Sequence, residues 1–390
     1  MAATLKLGDR KWATKEGSLL AYNDENNNYK PLPFDFTRAS SATRVNKQGL
    51  IETVASGVPR IDFTDANGAL LLEPQRTNIV LNSEPNSIEV VDSNITYESF
   101  SWANGFTNCV RYLDNSVNRL RRVATALAST EYTFSFYIIM DDLSEPNIGT
   151  SAITGDFYLY LGGGIVSSNF TSNNVGNNIW RVSGTRVSET SALTYNGIYK
   201  GTGNSSKGFR VVGWQIEQGS YATSYIPTQG SAVTVVKDVC NNAGNDQVFN
   251  NLEGVLYIEA DILKTSGTGF VVSISNGLSL SESINIRQQS SGTLSFQLSS
   301  AGSNTFVNTT DWSEGINKIA LRYNSNGINV YINGNSKGTN SAITYPNVNN
   351  LDLASRPDQV GQLIEKLKVK DVRVYNTSLT DSELQALTTI

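Results

Sequence analysis

Alternation of large apolar residues with other residues is the feature of this sequence that most restricts its fold. In residues 132–139 a Tyr, two Phe and an Ile occupy every second position. Residues 157–161 repeat the pattern, with tyrosines at the intervening positions. A period of two places alternate side chains on opposite faces of a β-strand. Such stretches predict half-buried strands of an antiparallel sandwich.

The composition favours the same class of fold. Only 17% of the 390 residues are charged, whereas the average for globular proteins is about 25%. The chain instead contains 32 Gly, 17 Tyr and 14 Phe, and much of its polar character comes from Asn, Ser and Thr. Asn, Ser and Gly favour turns and are weak helix formers, whereas aromatic residues favour strands. We therefore expect short strands joined by polar turns.

A second β pattern begins at Gly254. One face of its first predicted strand carries four apolar residues: Leu256, Ile258, Ala260 and Ile262. Residues 319–323 and 328–332 alternate around the turn Asn324–Gly327, and Asn333-Gly334 follows as a second turn. These spacings predict a β-hairpin.

The last segment carries two local signals. The alternation of apolar residues slips by one position across Lys370-Asp371, which predicts a β-bulge. Residues 378–390 read as a short helix, capped by Thr380 with Glu383 three residues on, the spacing of a capping box. Two leucines would face inward from this helix: Leu384 and Leu387.

Missing or scarce residue types exclude several classes of protein. The sequence has no histidine, so Ser-His-Asp and Cys-His mechanisms cannot form within one chain. Cys109 and Cys240 alone exclude a disulfide framework, and we expect reduced thiols. A net charge of −5 without a Lys/Arg tract argues against nucleic acid as a partner. No apolar run approaches 18 residues and no secretory signal is visible, so membrane insertion and secretion are not expected.

Three stretches resemble known families. The block from Phe36 to Asn78, with Phe36-Thr-Arg-Ala-Ser-Ser-Ala-Thr-Arg44 and Gly68-Ala-Leu-Leu-Leu-Glu-Pro-Gln-Arg-Thr-Asn78, resembles a block of phage tail-fibre and other virion-appendage proteins. The segment Trp214-Gln-Ile-Glu-Gln-Gly-Ser-Tyr-Ala-Thr-Ser-Tyr-Ile-Pro-Thr228 looks like the last strand and exit of carbohydrate-binding-module-like sandwiches in phage fibres. Most of residues 250–390 are similar to the concanavalin A-like, laminin-G-type sandwich, through Asn317–Tyr323, Gly327–Gly334 and Val369–Leu384.

Together these observations predict an all-β protein. It would have two antiparallel jelly-roll-type β-sandwiches after an irregular N-terminal attachment segment, and a short C-terminal helix. The predicted boundaries are 1–80 for the attachment segment, 81–235 for the carbohydrate-binding-module-like sandwich and 236–390 for the laminin-G-like one. The first segment has too few apolar anchors for its own core, so these must pack on a neighbouring subunit or on the next domain: Trp12, Leu19, Leu20 and Tyr22. Asp24–Tyr29 reads as a turn.

Sugar binding is the chemistry that the sequence supports best. Aromatic side chains offer flat apolar faces that stack on pyranose rings. Trp102 lies in a polar context, and Tyr158 and Tyr160 lie opposite the apolar face of their strand. We therefore predict that Trp102, Tyr158 and Tyr160 form an exposed carbohydrate-binding platform. The alternative is that each is a surface or inter-subunit aromatic. Trp180, Trp214 and Trp312 are expected in the core.

Enzymatic and metal chemistry are not expected. Glu259 and Asp261 share one strand face, as acids do in some concanavalin A-like glucanases, but the third acid is absent. We expect both on a solvated face and predict no catalytic residue. Asp352 and Asp358 are expected in loops, and no repeated Asp spacing indicates calcium. The sequence therefore predicts no metal ligand and no cofactor.

The resemblance implies a structural virion appendage of a bacteriophage, a fibre or spike. Its function would be adhesion to host-surface glycan. Its other partners would be virion proteins, bound through the N-terminal segment, and two further copies in a homotrimer. It would be assembled in the host cytoplasm, released by lysis and located in the virion, at head or tail. A purely structural capsid or tail component and a polysaccharide depolymerase remain as alternatives.

Overall fold

β-Strands form most of the ordered structure, and one short helix ends it. A computed structural model describes residues 2–9, 11–15, 18–21, 32–65, 67–85, 95–113, 118–125, 127–189, 192–264, 267–355 and 366–390. The described strands of the first part are β1 Leu5–Leu7, β2 Trp12–Lys15, β3 Ser18–Ala21, β4 Phe34–Thr37, β5 Ala42–Val45, β6 Ile51–Val54, β7 Arg60–Asp62, β8 Ala69–Leu72, β9 Arg76–Asn78, β10 Ile95–Ser99, β11 Asn108–Tyr112, β12 Asn118–Thr125, β13 Glu131–Met140, β14 Ile148–Gly149, β15 Phe157–Leu161 and β16 Gly164–Ile165.

The remaining elements follow in chain order. They are β17 Phe170–Asn174, β18 Trp180–Val187, β19 Ala192–Lys200, β20 Phe209–Gln218, β21 Val233–Val235, β22 Val239–Ala243, β23 Gly254–Ile262, β24 Gly269–Ser275, β25 Glu282–Gln288, β26 Leu294–Ser300, β27 Ser303–Thr309, β28 Gly315–Asn324, β29 Gly327–Ile332, β30 Asn335–Asn340, β31 Asn350–Leu353, β32 Leu367–Tyr375 and α1 Asp381–Thr388. No described helix has the length and apolar character needed to cross a membrane.

The chain divides into two compact units. Unit 1 comprises Met1–Ser41, Val54–Pro74 and Val236–Ile390, and unit 2 comprises Ala42–Thr53 and Gln75–Val235. This division differs from the predicted one, because residues 1–80 do not form a separate segment. Their strands are instead shared between the two units.

Unit 1 is a sandwich of two large sheets. One sheet has the order β30-β29-β28-β23-β32-β8-β7, with β1 also paired to β32. The other has the order β2-β3-β4-β22-β31-β24-β25-β26-β27. Apolar side chains from both sheets form one core, which includes Ile258, Ala260 and Ile262 as the alternation predicted.

The local predictions for this unit are confirmed. β28 and β29 form the hairpin that the alternation indicated. The register between β23 and β32 shifts at Lys370-Asp371, where the bulge was expected. Thr380 caps α1, and its side chain and that of Glu383 make the reciprocal bonds of a capping box. Leu384 is buried, and Leu387 packs against the same cluster.

The beginning of the chain is part of the unit 1 sandwich. β1 pairs with β32, and β4 pairs with β22. The Trp12 indole nitrogen donates to the Val369 carbonyl at 2.8 Å. Trp12 therefore packs against a strand near the C-terminus of the same chain, which is one of the two outcomes expected for the apolar anchors. The side chains of Leu19 and Leu20 are not described. Tyr22 and Asp24–Tyr29 lie outside the described residues.

A buried ion network links four segments of unit 1. Arg60 lies between Glu73, at 2.9 Å, and Asp238, and Arg38 reaches Asp238 at 3.1 Å. The side chains of all four are at most 3% exposed. Three of them belong to the Phe36–Asn78 block, so this block owes part of its pattern to charge pairing inside a core.

Unit 2 is a second sandwich. Its sheets have the orders β10-β11-β20-β13-β18-β17 and β12-β19-β15-β14, with β16 also paired to β15. Phe134, Phe136, Phe157 and Trp214 lie in the core between them. β13 was predicted to be half-buried, but every residue after Glu131 is buried. A second apolar cluster covers its other face.

Side-chain hydrogen bonds within unit 2 fix the end of β20 and the segment that follows it. Asn78 Nδ2 donates to the carbonyls of Trp214 (3.1 Å) and Ile226 (2.8 Å). Glu217 accepts from the Thr223 amide at 2.9 Å. The Phe36–Asn78 block and the Trp214–Thr228 segment thus meet at Asn78, and each needs the other to satisfy its buried polar groups.

Candidate functional site

Three tyrosines lie side by side on the outer face of the five-stranded sheet of unit 2. Phe157, Leu159 and Leu161 point into the core, so the intervening Tyr158 and Tyr160 face outward, half-buried. Tyr199 lies opposite Tyr158 on the neighbouring strand β19 and is buried, with 7% exposure. Its ring centre is 5.6 Å from that of Tyr158 and 5.3 Å from that of Tyr160, with interplanar angles of 35° and 37°.

Two arginines extend this row. Arg119 on β12 is in register with Tyr199, and its guanidinium carbon lies 5.9 Å from the ring centre. Arg121 hydrogen-bonds the Tyr199 phenol. Burial raises the pKa of Tyr199 and of Tyr158, so both phenols stay neutral at physiological pH. We call these five residues, Tyr158, Tyr160, Tyr199, Arg119 and Arg121, the tyrosine platform.

One position within the platform is restricted to glycine. Gly197 lies between Arg121 and Tyr160 in the register of the sheet. A Cβ atom there would lie 1.8 Å from the Leu120 carbonyl oxygen, so only glycine fits. The Tyr160 hydroxyl donates to the Gly163 carbonyl at 2.8 Å, which fixes the ring. The backbones of β12 and β19 are therefore closely packed beneath an oriented aromatic ring.

Trp102 requires a correction, because it does not contribute to an exposed surface. It is 3% exposed and belongs to the second apolar cluster of unit 2, with Phe106, Tyr137 and Tyr225. Its ring meets Phe100 edge-on at 5.7 Å. The polar residues around it in the sequence form a turn, and that turn carries the indole onto the outer face of β13.

The other tryptophans follow the expectation in two cases of three. Trp214 is fully buried, and Trp312 is buried with its indole nitrogen donating to the Gly292 carbonyl at 2.9 Å. Trp180 is only partly buried, although it packs against the core of unit 2.

Tyr199 and the two arginines were missed by the sequence reasoning. The basic run at residues 119–122 is too short to count as a Lys/Arg tract, and Tyr199 was not singled out. The signal that unites them is the pairing of β12, β19 and β15, which joins residues about 40 to 80 positions apart in sequence. Alternation within one strand contains no information on such pairing.

The candidate acids of unit 1 do not form an open catalytic cleft. Glu259 is 4% exposed, so the expected solvated position was wrong for it, while Asp261 is half-buried. The same strand face carries Tyr257, which is buried in the cluster that also contains Leu384 of α1.

Metal-binding candidates are equally weak. No group of three or more potential metal ligands occurs among the described residues. Asp352 lies in β31, not in the expected loop, and is fully buried. Asp358 lies outside the described residues.

One family model and several solved structures are similar to parts of this chain. Residues 257–385 match the family model of the concanavalin A-like lectin/glucanases superfamily. The comparison with curated proteins found no match. Among solved structures, the CBM40 domain of the Ruminococcus gnavus IT-sialidase is similar over 38% of this chain and 93% of its own length, at 17% identity and a TM-score of 0.32.

Two larger enzymes show a similar partial likeness. A leech intramolecular trans-sialidase aligns over 38% of this chain and 26% of its own, at 17% identity and a TM-score of 0.32. The NanB sialidase of Streptococcus pneumoniae aligns over 37% and 25%, at 13% identity and a TM-score of 0.33. The chain is therefore an all-β protein whose residues 257–385 are similar to the concanavalin A-like lectin/glucanases superfamily.

Proposed function

We propose that this protein is a glycan-binding adhesin that holds sugars on the tyrosine platform of unit 2. The observation that carries the proposal is the pair of half-buried rings of Tyr158 and Tyr160, packed on the buried ring of Tyr199 and beside an exposed arginine on an outer sheet face. Aromatic faces bury the apolar side of a pyranose, and neighbouring polar groups orient it.

The charges of the platform select the class of sugar. Arg119 is exposed, and among the described residues its guanidinium meets an aromatic ring and no carboxylate. A guanidinium presents donors in a planar fork that matches a carboxylate or sulfate group. The platform therefore prefers an acidic sugar unit to a neutral one.

The biological setting of the proposal is a bacteriophage particle. It rests on the resemblance of Phe36–Asn78 to virion-appendage proteins. In this setting the protein is a fibre or spike subunit of the virion, assembled with other virion proteins, and its ligand is a host-surface glycan. A shallow platform binds one sugar weakly. A homotrimer present in several copies would raise the avidity without any new contact.

A glycan array with the full chain, displayed multivalently, tests the platform. We expect binding to acidic glycans, and a loss of at least about tenfold in the double variant Tyr158→Ala/Tyr160→Ala, because two stacking faces are removed. Arg119→Ala should lose the preference for acidic over neutral glycans. Tyr345→Ala is the matched control, since Tyr345 is an exposed tyrosine of unit 1.

Two outcomes would contradict the adhesin. Absence of binding to any glycan at multivalent density would favour a purely structural component. Release of reducing ends from host polysaccharide, abolished by Glu259→Gln, would favour a depolymerase instead. The burial of Glu259 argues against the second outcome.

A further inference from the structure

A cleft of about 480 Å³ lies in unit 2, apart from the tyrosine platform. Six residues line it: Glu145, Pro146, Asn147, Ile148, Phe170 and Ser172. Its volume lies within the range of about 300–1,000 Å³ that is typical of small-molecule sites. We propose that this cleft is a second sugar subsite, which takes a unit with hydroxyl or amino donors and no acid group.

Three of the six lining residues are apolar and are held by the protein around them. Phe170 lies on β17, the edge strand of the six-stranded sheet, and packs against the core of unit 2. Pro146 and Ile148 are buried on the facing segment. A ring held by a core presents one face to a ligand without loss of side-chain freedom on binding, which favours stacking with a pyranose.

Two polar side chains of the cleft are open to a ligand. Glu145 and Asn147 are exposed, and no described residue makes an ion pair or a hydrogen bond with either side chain. The Ser172 Oγ atom is enclosed by protein and has no hydrogen-bond partner. An enclosed hydroxyl without a partner is costly, and in the proposed complex Ser172 rotates about χ1 so that Oγ meets a ligand hydroxyl, which removes this cost.

The charge of the cleft excludes acidic ligands. Glu145 is the one charged residue of the lining, and no Lys or Arg lines the cleft. A ligand carboxylate would therefore be repelled, whereas hydroxyl donors are accepted and a protonated amine is attracted. This preference is opposite to that of the platform, where arginines supply the charge.

The sheet places the cleft next to the platform. β14 pairs with β15, and Gly149 is in register with Tyr158. A Cβ at Gly149 would lie 1.9 Å from the Thr154 carbonyl oxygen, so the following turn packs directly on this strand. Neighbouring strands are about 4.8 Å apart. A glycan chain on the platform therefore reaches the strand that leads into the cleft, and the inference rests on the proposed glycan-binding function for its biological meaning.

Ligand-observed NMR titration of the full chain with glucosamine, glucose and glucuronic acid tests the subsite. We expect glucosamine to bind most tightly, glucose more weakly and glucuronic acid not at the cleft. Phe170→Ala and Ser172→Ala should each weaken glucosamine binding, the former about tenfold. Glu145→Gln should abolish the preference for glucosamine over glucose. Phe306→Ala, a half-exposed phenylalanine of unit 1, is the matched control.

The result separates the cleft from the platform. The double variant Tyr158→Ala/Tyr160→Ala should retain glucosamine binding and lose acidic glycans. If the unmodified protein binds glucosamine but no acidic glycan, the platform is refuted and the cleft is not. Equal binding of glucosamine and glucuronic acid to the double variant, whose platform is disabled, would overturn the cleft. Glucosamine binding unchanged in both Ser172→Ala and Glu145→Gln would also overturn it.

Discussion

Asp352 is a carboxylate enclosed in the nine-stranded sheet of unit 1. Its side chain accepts hydrogen bonds from the Asn242 amide at 3.0 Å and from Asn350 Nδ2 at 3.2 Å. Burial outweighs these bonds and raises its pKa from 3.8 to about 6. The folded protein therefore binds the Asp352 proton more tightly than the unfolded chain does.

This residue should make the stability of unit 1 depend on pH. Because its pKa is raised by folding, the stabilisation is fully present below about pH 4 and is lost as the pH rises through about 6. The difference between the unfolded and folded pKa values of Asp352 corresponds to at most about 3 kcal/mol in the free energy of unfolding. We expect Asp352→Asn to flatten the dependence and to stabilise the protein at pH 8, measured by urea unfolding from pH 4 to 8.

Asp311→Asn is the control for this comparison, because the Asp311 side chain is 82% exposed. It should follow the unmodified protein at every pH. An Asp352→Asn variant with an unchanged pH profile would show that the carboxyl is not held in this environment.

The buried ion network is the second feature at the residue scale. Asp238 faces both Arg38 and Arg60, and all three side chains are fully buried. Asp238→Ala leaves two buried guanidinium groups short of a carboxylate, and we expect a loss of about 3–5 kcal/mol in the free energy of unfolding. Chemical denaturation measures this loss.

The matched control is Asp311→Ala, which removes an exposed ion pair with Lys337 and should cost no more than about 1 kcal/mol. Similar losses in both variants would contradict the network's role.

At the scale of elements, the sequence predicted the features that depend only on residues close together in the chain. The β28–β29 hairpin, the bulge at Lys370-Asp371 and the cap of α1 each follow from turn, phase or capping chemistry within a few positions. The outward position of Tyr158 and Tyr160 followed from alternation in the same way.

The burial of β13 on both faces could not be predicted from residues within a few positions. Its second face is covered by Trp102 and Phe106 from one loop and Tyr225 from another. A strand sequence with Phe and Tyr on both faces is compatible with either outcome, because tyrosine is common at surfaces and in cores. This also explains why Trp102 was assigned to the surface from its polar neighbours, whereas the fold buries it.

The packing of the segment that follows β20 also could not be predicted from nearby residues. Asn78 and Glu217 are polar residues at fully buried positions. Glu217 bonds to the nearby Thr223, whereas the bond from Asn78 to the Trp214 carbonyl joins positions 136 residues apart. A single sequence shows that Asn78 and Trp214 are present but not that they meet. The structure thus gives the two family-like segments a shared structural role at Asn78.

At the scale of the whole molecule, composition and periodicity were sufficient for the fold class. They were not sufficient for the division into units, because β1 pairs with β32 and β4 with β22 over long stretches of chain. The sequence likewise predicted only part of the candidate site. Two of its tyrosines could be predicted from one strand, while Tyr199, Arg119 and the Phe170 cleft depend on which strands become neighbours.

A crystal structure of the full chain with an acidic oligosaccharide chosen from the glycan array tests the central claim most directly. The account predicts a sugar ring against Tyr158 or Tyr160, with its acid group within hydrogen-bond distance of the Arg119 guanidinium. A bound oligosaccharide found only on unit 1, with the tyrosine platform of unit 2 empty, would contradict it.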